Sequence, residues 1–375
     1  MTSLERMKQD NEKLILKVVH ENPGIYRKLV AKETNLASQT VTNLVTEMLD
    51  KKLIVESYNK AEGRGRVPIS LSLNYSELYI LTINLELDWV SVYLHALDET
   101  VLASERVKLT GEEDIIELLK EQIVAVRRKA GGEYQLQAVV ISVCGVVNED
   151  TGTVVLAQVL KLYDCNLAEH FSYLGVPVLI RNDVNLVASY EKIVCKEDMN
   201  FMVAKLDIGI GSAFVLGSRN LKSSNNVAGE LGHVTVESNE VRPCICGKNN
   251  CLTKFICREA LVKRYGKPYE DLVQDAKSGE PEAVELAEMI CGYLTPILAN
   301  IINILDLDRV ILCGGTMDAF AEILYPRLVE KIKGRLSYWS AFKGLKLHKD
   351  IDIVAISTKF WLDYFFSTES VRELL

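Results

Sequence analysis

Three of the nine cysteines in this 375-residue chain fall within eight positions, Cys244, Cys246 and Cys251 in CICGKNNC. Thiols so spaced serve as a disulfide, a redox pair or a metal site. The chain opens MTSLERMKQD, without the charged and then apolar leader of a secreted protein, and its cysteine count is odd. Both features argue against a disulfide framework, because the cytosol keeps thiols reduced. The cluster therefore leans towards metal. A second chemical signal is Asn182-Asp183, which closes VPVLIRND at the place where α/β proteins set ligand-binding side chains. An aspartate there accepts short hydrogen bonds from hydroxyl groups, or caps the helix that follows.

Such residues must be held by packed elements, and a chain of this length with 48% hydrophobic residues supports two or three cores. No run approaches the roughly twenty apolar residues that cross a bilayer, so the expectation is a soluble, cytoplasmic protein. The net charge of −8 is uneven: residues 1–75 hold 12 lysines and arginines against 9 acids, and the other 300 hold 31 against 42. Only the front piece suits a polyanion.

In that front piece, NEKLILKVVHENPG sets Leu14, Ile15, Val18 and Val19 at helical spacing and stops at Asn22-Pro23-Gly24. IYRKLVAKETN predicts a second helix with Leu29 and Val30 inward and Asn35 at its end. LASQTVTNLVTEMLDKK predicts a third, with Ser38 as N-cap and Val41, Leu44, Val45, Met48 and Leu49 as its buried stripe. The start of this third helix carries Ser38, Gln39, Thr40, Thr42 and Asn43, whose amides and hydroxyls suit base edges in a major groove. LIVESYNK and VPISLSLN, joined by AEGRGR, predict a hairpin whose Arg64 and Arg66 reach phosphate or the minor groove. Residues 1–75 are thus expected to form a winged helix-turn-helix DNA-binding domain.

Strands and helices alternate thereafter. YILTINLEL and WVSVYLHAL form a hairpin, DIIELLKEQIVAVRRKA an amphipathic helix and LQAVVISVCG a buried strand, and FMVAKLDIGIGSAFVLG supplies a glycine-bearing hairpin. The pattern predicts two α/β lobes, 76–190 and 191–375, with the C-terminal helix returning to the first. A strand ending in Gly314-Gly315 lets backbone approach a ligand.

The order of winged helix, IRNDVN, GIGSAFVLG, AGELGH, CICGKNNC and ILCGGT resembles the ROK family of repressors, open reading frames and sugar kinases, over nearly the whole chain. The winged helix is similar to its xylose-repressor and N-acetylglucosamine-repressor branch. The resemblance implies an actin-like (ribonuclease H-like) ATPase/sugar-kinase fold, two lobes flanking a cleft. The family's zinc motif matches His233, Cys244, Cys246 and Cys251, and three thiolates with one imidazole make a closed, structural zinc site. Asn250 replaces a family glycine and can adopt the same left-handed turn. The resemblance also implies a sugar site of Asn182, Asp183, Glu230 and His233, in which Asp183 holds the position of the kinases' general base.

Several positions depart from the family. Thr253 replaces a sugar-binding glutamate, and AQVLKLYDCN lacks the sugar loop's asparagine and tryptophan, with Tyr163 the available aromatic. At the family's phosphate positions, Asn84 stands for an aspartate and Glu86 for a glycine in INLELDWV, and Asp207 and Ile208 replace a small, donor-rich pair in LDIGIG. The expectation is a non-enzymatic, sugar-responsive repressor of carbohydrate-use genes, acting on a double-stranded DNA operator as a homodimer or tetramer. Its rivals are an ATP-dependent sugar kinase with a DNA-binding appendage and a regulator with a decayed pocket that answers to a protein partner.

Overall fold

The computed structural model describes residues 3–58, 69–195 and 197–367. Arg64 and Arg66 lie outside them. Helix α1 (Ser3–Glu21) ends at the Asn22-Pro23-Gly24 turn. The next two residues are a strand, β1 (Ile25–Tyr26), because they pair with a later strand instead of opening the second helix. Helix α2 (Arg27–Thr34) closes on Asn35, left-handed at φ 55°. Val30 is buried whereas Leu29, expected inward, is 43% exposed, because adjacent helical residues point about 100° apart and the face turned to the core takes Val30. Helix α3 (Ser38–Asp50) buries Val41, Leu44, Val45 and Met48. Its N-cap is Ala37, in extended conformation and with no side-chain bond, so Ser38 is the first helical residue and not the cap. Strands β2 (Ile54–Tyr58) and β3 (Ile69–Leu73) pair antiparallel, completing a sheet of order β1-β3-β2.

The first lobe begins with an antiparallel meander, β4 (Leu78–Leu85), β5 (Trp89–Ala96) and β6 (Val101–Lys108). Helix α4 (Ile115–Ala130), capped by Asp114 and ended by Gly131, crosses to β7 (Gln135–Val143), parallel to β4. The apolar run of β7 follows from burial on both sheet faces. Then come a small sheet of β8 (Val146–Asn148), β9 (Thr153–Ala157) and β10 (Leu162–Asn166), the short α5 (Leu167–His170), and β11 (Val178–Asn182), parallel to β7.

Helix α6 (Asp183–Val194) leads to the second lobe. Its meander is β12 (Phe201–Leu206), β13 (Ile210–Leu216) and β14 (Arg219–Asn220). A long excursion carries α7 (Thr253–Ile256), α8 (Arg258–Tyr265), α9 (Tyr269–Ser278) and α10 (Pro281–Leu305). Strand β15 (Arg309–Cys313) lies parallel to β12 and, after α11 (Gly315–Ala319) and α12 (Ala321–Lys333), β16 (Gly344–His348) lies parallel to β15. The two five-stranded sheets, ordered β11-β7-β4-β5-β6 and β14-β13-β12-β15-β16, thus repeat one pattern.

Helix α10 is long and apolar enough to cross a bilayer by length and composition, which the count of apolar runs did not single out. Here it packs against α12, and Leu286, Ile290, Leu294 and Leu298 lie in the second lobe's core. Helix α13 (Ile353–Phe366) crosses back to pack on α6, β4 and β7. Its Phe366 stacks on His20 of α1 with ring centroids 4.7 Å apart, and Lys13 lies 5.1 Å from the Phe365 ring. One core cluster consequently joins Ile15 and Val45 of the front unit to Val187 of α6 and Phe360 of α13.

Candidate functional site

The end of β11 and the turn between β12 and β13 meet at a cleft of about 380 Å³, within the range of small-ligand sites. Asn182 and Asp183 both line it, with different duties. Asn182 is the N-cap of α6: its Oδ1 accepts from the Val184 and Asn185 amides, both at 3.0 Å, and its Nδ2 donates to Gly145 O at 2.9 Å. A single amide N–H is left to a ligand. Asp183 is therefore not the cap. It is the first residue of α6, and its Oδ2 accepts from Lys205 Nζ at 2.8 Å. Burial opposes the lysine's charge, but the nearby carboxylates, Asp183 foremost, outweigh it and hold the ammonium protonated far above neutral pH. Nothing in the sequence reading singled out Lys205. The available signal was a lone lysine inside the apolar strand FMVAKL.

AGELGH is pressed onto β13. A Cβ on Gly229, at φ +94°, would lie 1.9 Å from Ser212 O, and Ser212 N donates to Gly229 O at 2.8 Å. Only glycine fits so close an approach, and it brings Glu230 and His233 to the cleft wall. Burial pushes the Glu230 carboxyl up, against the pull of His233, whose Nε2 lies 3.8 Å from Glu230 Oε2. Glu86 also lines the cleft, and burial pushes its carboxyl up against the opposing charge of Lys205. Thr253 lines the cleft as well, whereas Asn84 and Tyr163 do not; Tyr163 is 57% exposed on β10.

His233, Cys244, Cys246 and Cys251 offer one ligand atom each, all within 4.8 Å of one another. Cys244 Sγ lies 3.5 Å from His233 Nδ1, and Cys246 Sγ 3.4 Å from Cys251 Sγ. A tetrahedral ion with Zn–S near 2.3 Å and Zn–N near 2.0 Å sets its ligand atoms roughly 3.5–3.8 Å apart, so the donor set fits such a metal. The loop geometry agrees with the substitution at Asn250, which is left-handed at φ 58° and whose Oδ1 accepts from Arg242 N at 2.8 Å. The exposed Cys246 thiol, held by the Lys248 backbone N–H, is lowered to about 6, while burial pushes Cys251 up to about 12. With Nδ1 turned to the sulfurs, Nε2 of His233 faces Glu230.

Next to Asp207 of the cleft lining, Gly314 at φ +98° opens the turn into α11, where a Cβ would lie 2.6 Å from Leu206 O. Turns of this kind present backbone N–H groups to phosphate. Here the N–H of Gly315 donates to Asp207 Oδ2 at 3.1 Å, and that of Ile208 to Asp207 Oδ1 at 2.9 Å. The guanidinium of Arg258 also pairs with Asp207 Oδ1, and reaches Asp88 of the first lobe at 3.9 Å. A carboxylate of the chain itself satisfies these donors. Arg258, at the start of α8, belongs to no motif that would have flagged it.

In the front unit, Ser38, Gln39, Thr42 and Asn43 are exposed on α3 and Thr40 partly so. Gln39 Nε2 donates to Asn43 Oδ1 at 2.9 Å, and Thr42 Oγ1 to Ser38 O at 2.8 Å.

The sequence profile of the ROK family matches residues 82–343. The xylose repressor of Caldicellulosiruptor bescii is 27% identical over 368 residues, 91% of each chain. A solved ROK family transcriptional regulator, described as a homologue of the Escherichia coli MLC protein, superposes with a TM-score of 0.79 at 23% identity, covering 98% of both chains. A ROK family glucokinase from Streptomyces griseus, solved with glucose and AMPPNP, superposes with a TM-score of 0.64 at 17% identity and covers 75% of this chain. The α/β architecture is therefore that of the actin-like sugar kinases and of a regulator built on them.

Proposed function

The chain belongs to the ROK family, and from that premise we propose that it is a sugar-responsive, DNA-binding transcriptional repressor of carbohydrate-use genes. The observation that carries this reading is the contrast between the cleft and the glycine turn beside it. Around Asp183, Glu230 and His233 the lining is polar and open, suited to a polyol. At the glycine turn the donors that a nucleotide phosphate needs already hold Asp207. The relatives support the same reading, since the regulator matches nearly the whole chain and the glucokinase leaves a quarter of it unmatched.

The front unit is the winged helix-turn-helix. The exposed amides and hydroxyls of α3, Ser38, Gln39, Thr40, Thr42 and Asn43, read base edges, and Arg64 and Arg66 contact phosphate. Two such helices must meet grooves about one helical turn apart, so the active species is a homodimer or a dimer of dimers. Zinc on His233, Cys244, Cys246 and Cys251 would have four protein ligands and so a structural task, fixing Nδ1 and leaving Nε2 to the sugar. Sugar in the cleft acts at the start of α6, which packs on α13, which in turn stacks on α1. It regulates only as far as it binds two lobe arrangements with unequal affinity.

The test is an anisotropy titration of the chain's own upstream DNA at fixed salt, with and without a panel of common sugars. One sugar is expected to shift the curve. Gln39→Ala with Asn43→Ala is expected to weaken specific binding roughly 10- to 100-fold and leave non-specific binding little changed. DNA binding that no sugar shifts would favour the decayed-pocket reading. Sugar-dependent ADP formation that disappears in Asp183→Asn would favour the kinase.

A further inference from the structure

The charges of the cleft narrow the chemistry of the effector, given that the cleft is a sugar site as read above. Its lining carries five carboxylates, Glu86, Asp183, Asp207, Glu230 and Glu259, against two lysines, Lys205 and Lys254. Arg258 answers for Asp207. Lys254 is partly exposed, where water screens its charge. The one cation set deep in the cleft is Lys205, with its side chain 18% exposed, and it is already paired with Asp183, 11% exposed.

We propose that the Lys205–Asp183 pair is the specificity determinant of the cleft and selects an uncharged sugar, turning away sugar phosphates and sugar acids. The pair sets ammonium donors and carboxylate acceptors 2.8 Å apart. A hydroxyl group satisfies both at once, donating to Asp183 and accepting from one of the two remaining Lys205 protons, and brings no new charge. A phosphate or carboxylate bound to the same remaining protons would share one ammonium with Asp183 and leave a net negative charge beside Glu86 and Glu230. A buried charge without its own partner is the costly outcome. Rejection by a charge left without a partner discriminates more sharply than a change in fit.

Calorimetric titration of the full-length, zinc-loaded protein tests this. D-glucose, D-mannose, D-galactose and N-acetyl-D-glucosamine are each compared with their 6-phosphates, and D-xylose with D-glucuronate. At least one neutral sugar is expected to bind, and its charged counterpart at least 30-fold more weakly. Asp183→Asn, which releases Lys205, is expected to shrink that ratio at least tenfold. Lys205→Met with Asp183→Asn removes both charges without stranding either, and should weaken the neutral sugar at least tenfold while the melting temperature changes little. A charged sugar that binds as tightly as its neutral partner, or a double variant that keeps the wild-type ratio, overturns the specificity proposal and leaves sugar sensing standing. Binding of no sugar of either class removes both.

Discussion

The two lobes are built on sheets of the same strand order, and each offers the turn of its first hairpin to the same cleft. The turns have diverged in what their acids do. In the first lobe, Glu86 lines the cleft and has no ion pair among the described residues, and burial raises its carboxyl. In the second, Asp207 is held by two backbone N–H groups and Arg258. Topology supplies two equivalent positions, and a handful of side chains leaves the acid of one facing the cleft and commits that of the other to the chain itself.

The comparison is broken most strongly at the proposed metal site. The second lobe threads residues 234–252 through a segment of turns and two isolated bridges that includes the three cysteines of the His233 cluster. Cys251→Ser, or a zinc chelator, is expected to cost that lobe more than about 4 kcal/mol, as metal loss does elsewhere. Differential scanning calorimetry paired with zinc content by mass spectrometry would check it. The first lobe should melt as before.

Acid should act the other way round. His95 in β5 is fully buried, its Nε2 2.8 Å from Thr82 Oγ1 and its Nδ1 3.1 Å from Ala96 O, and burial lowers its pKa to about 4. The unfolded chain takes up a proton near pH 6.5 that the folded lobe refuses. Stability is therefore complete above pH 6.5 and falls as pH drops towards 4, by roughly 3 kcal/mol. Urea melts followed from pH 7 to pH 4 should show that slope, and His95→Gln should flatten it.

The smallest of these effects sharpens the contrast between the turns. Asp207→Ala strands Arg258, which is 28% exposed and keeps some contact with water and with Asp88. A loss of about 2 kcal/mol is expected, below the range for fully buried pairs. Sugar affinity measured on the same variant should fall less than in Asp183→Asn, because Asp207 spends its oxygens on the chain's own donors.

The residues of the cleft were legible in unequal measure. Asp183 entered through its place at a strand end, Glu230 through the family resemblance, and Cys244, Cys246 and Cys251 with His233 through their spacing; the structure sets Asp183 and Glu230 on one cleft and gathers the other four within 4.8 Å. The hairpins could be read from alternation. Lys205 and Arg258 could not: Lys205 meets an acid 22 positions away, Arg258 one 51 positions away, and only the fold brings each pair together. Asn182 was seen as a ligand when most of its bonding capacity goes to capping α6. Leu29 was misplaced beside Val30, because the face turned to the core takes only one of these two adjacent helical residues.

Helix α13 has a consequence for how the molecule is made. The first lobe and the front unit are both finished by residues 353–366, which leave the ribosome after every strand of the second lobe. At roughly 5–20 residues per second, α6 and the His20 face of α1 stay uncovered for about ten seconds or more during translation. A nascent or truncated chain that carries α1 and α3 thus lacks the strap that seats the front unit, and only a chain translated through Phe366 can connect α1 to the cleft.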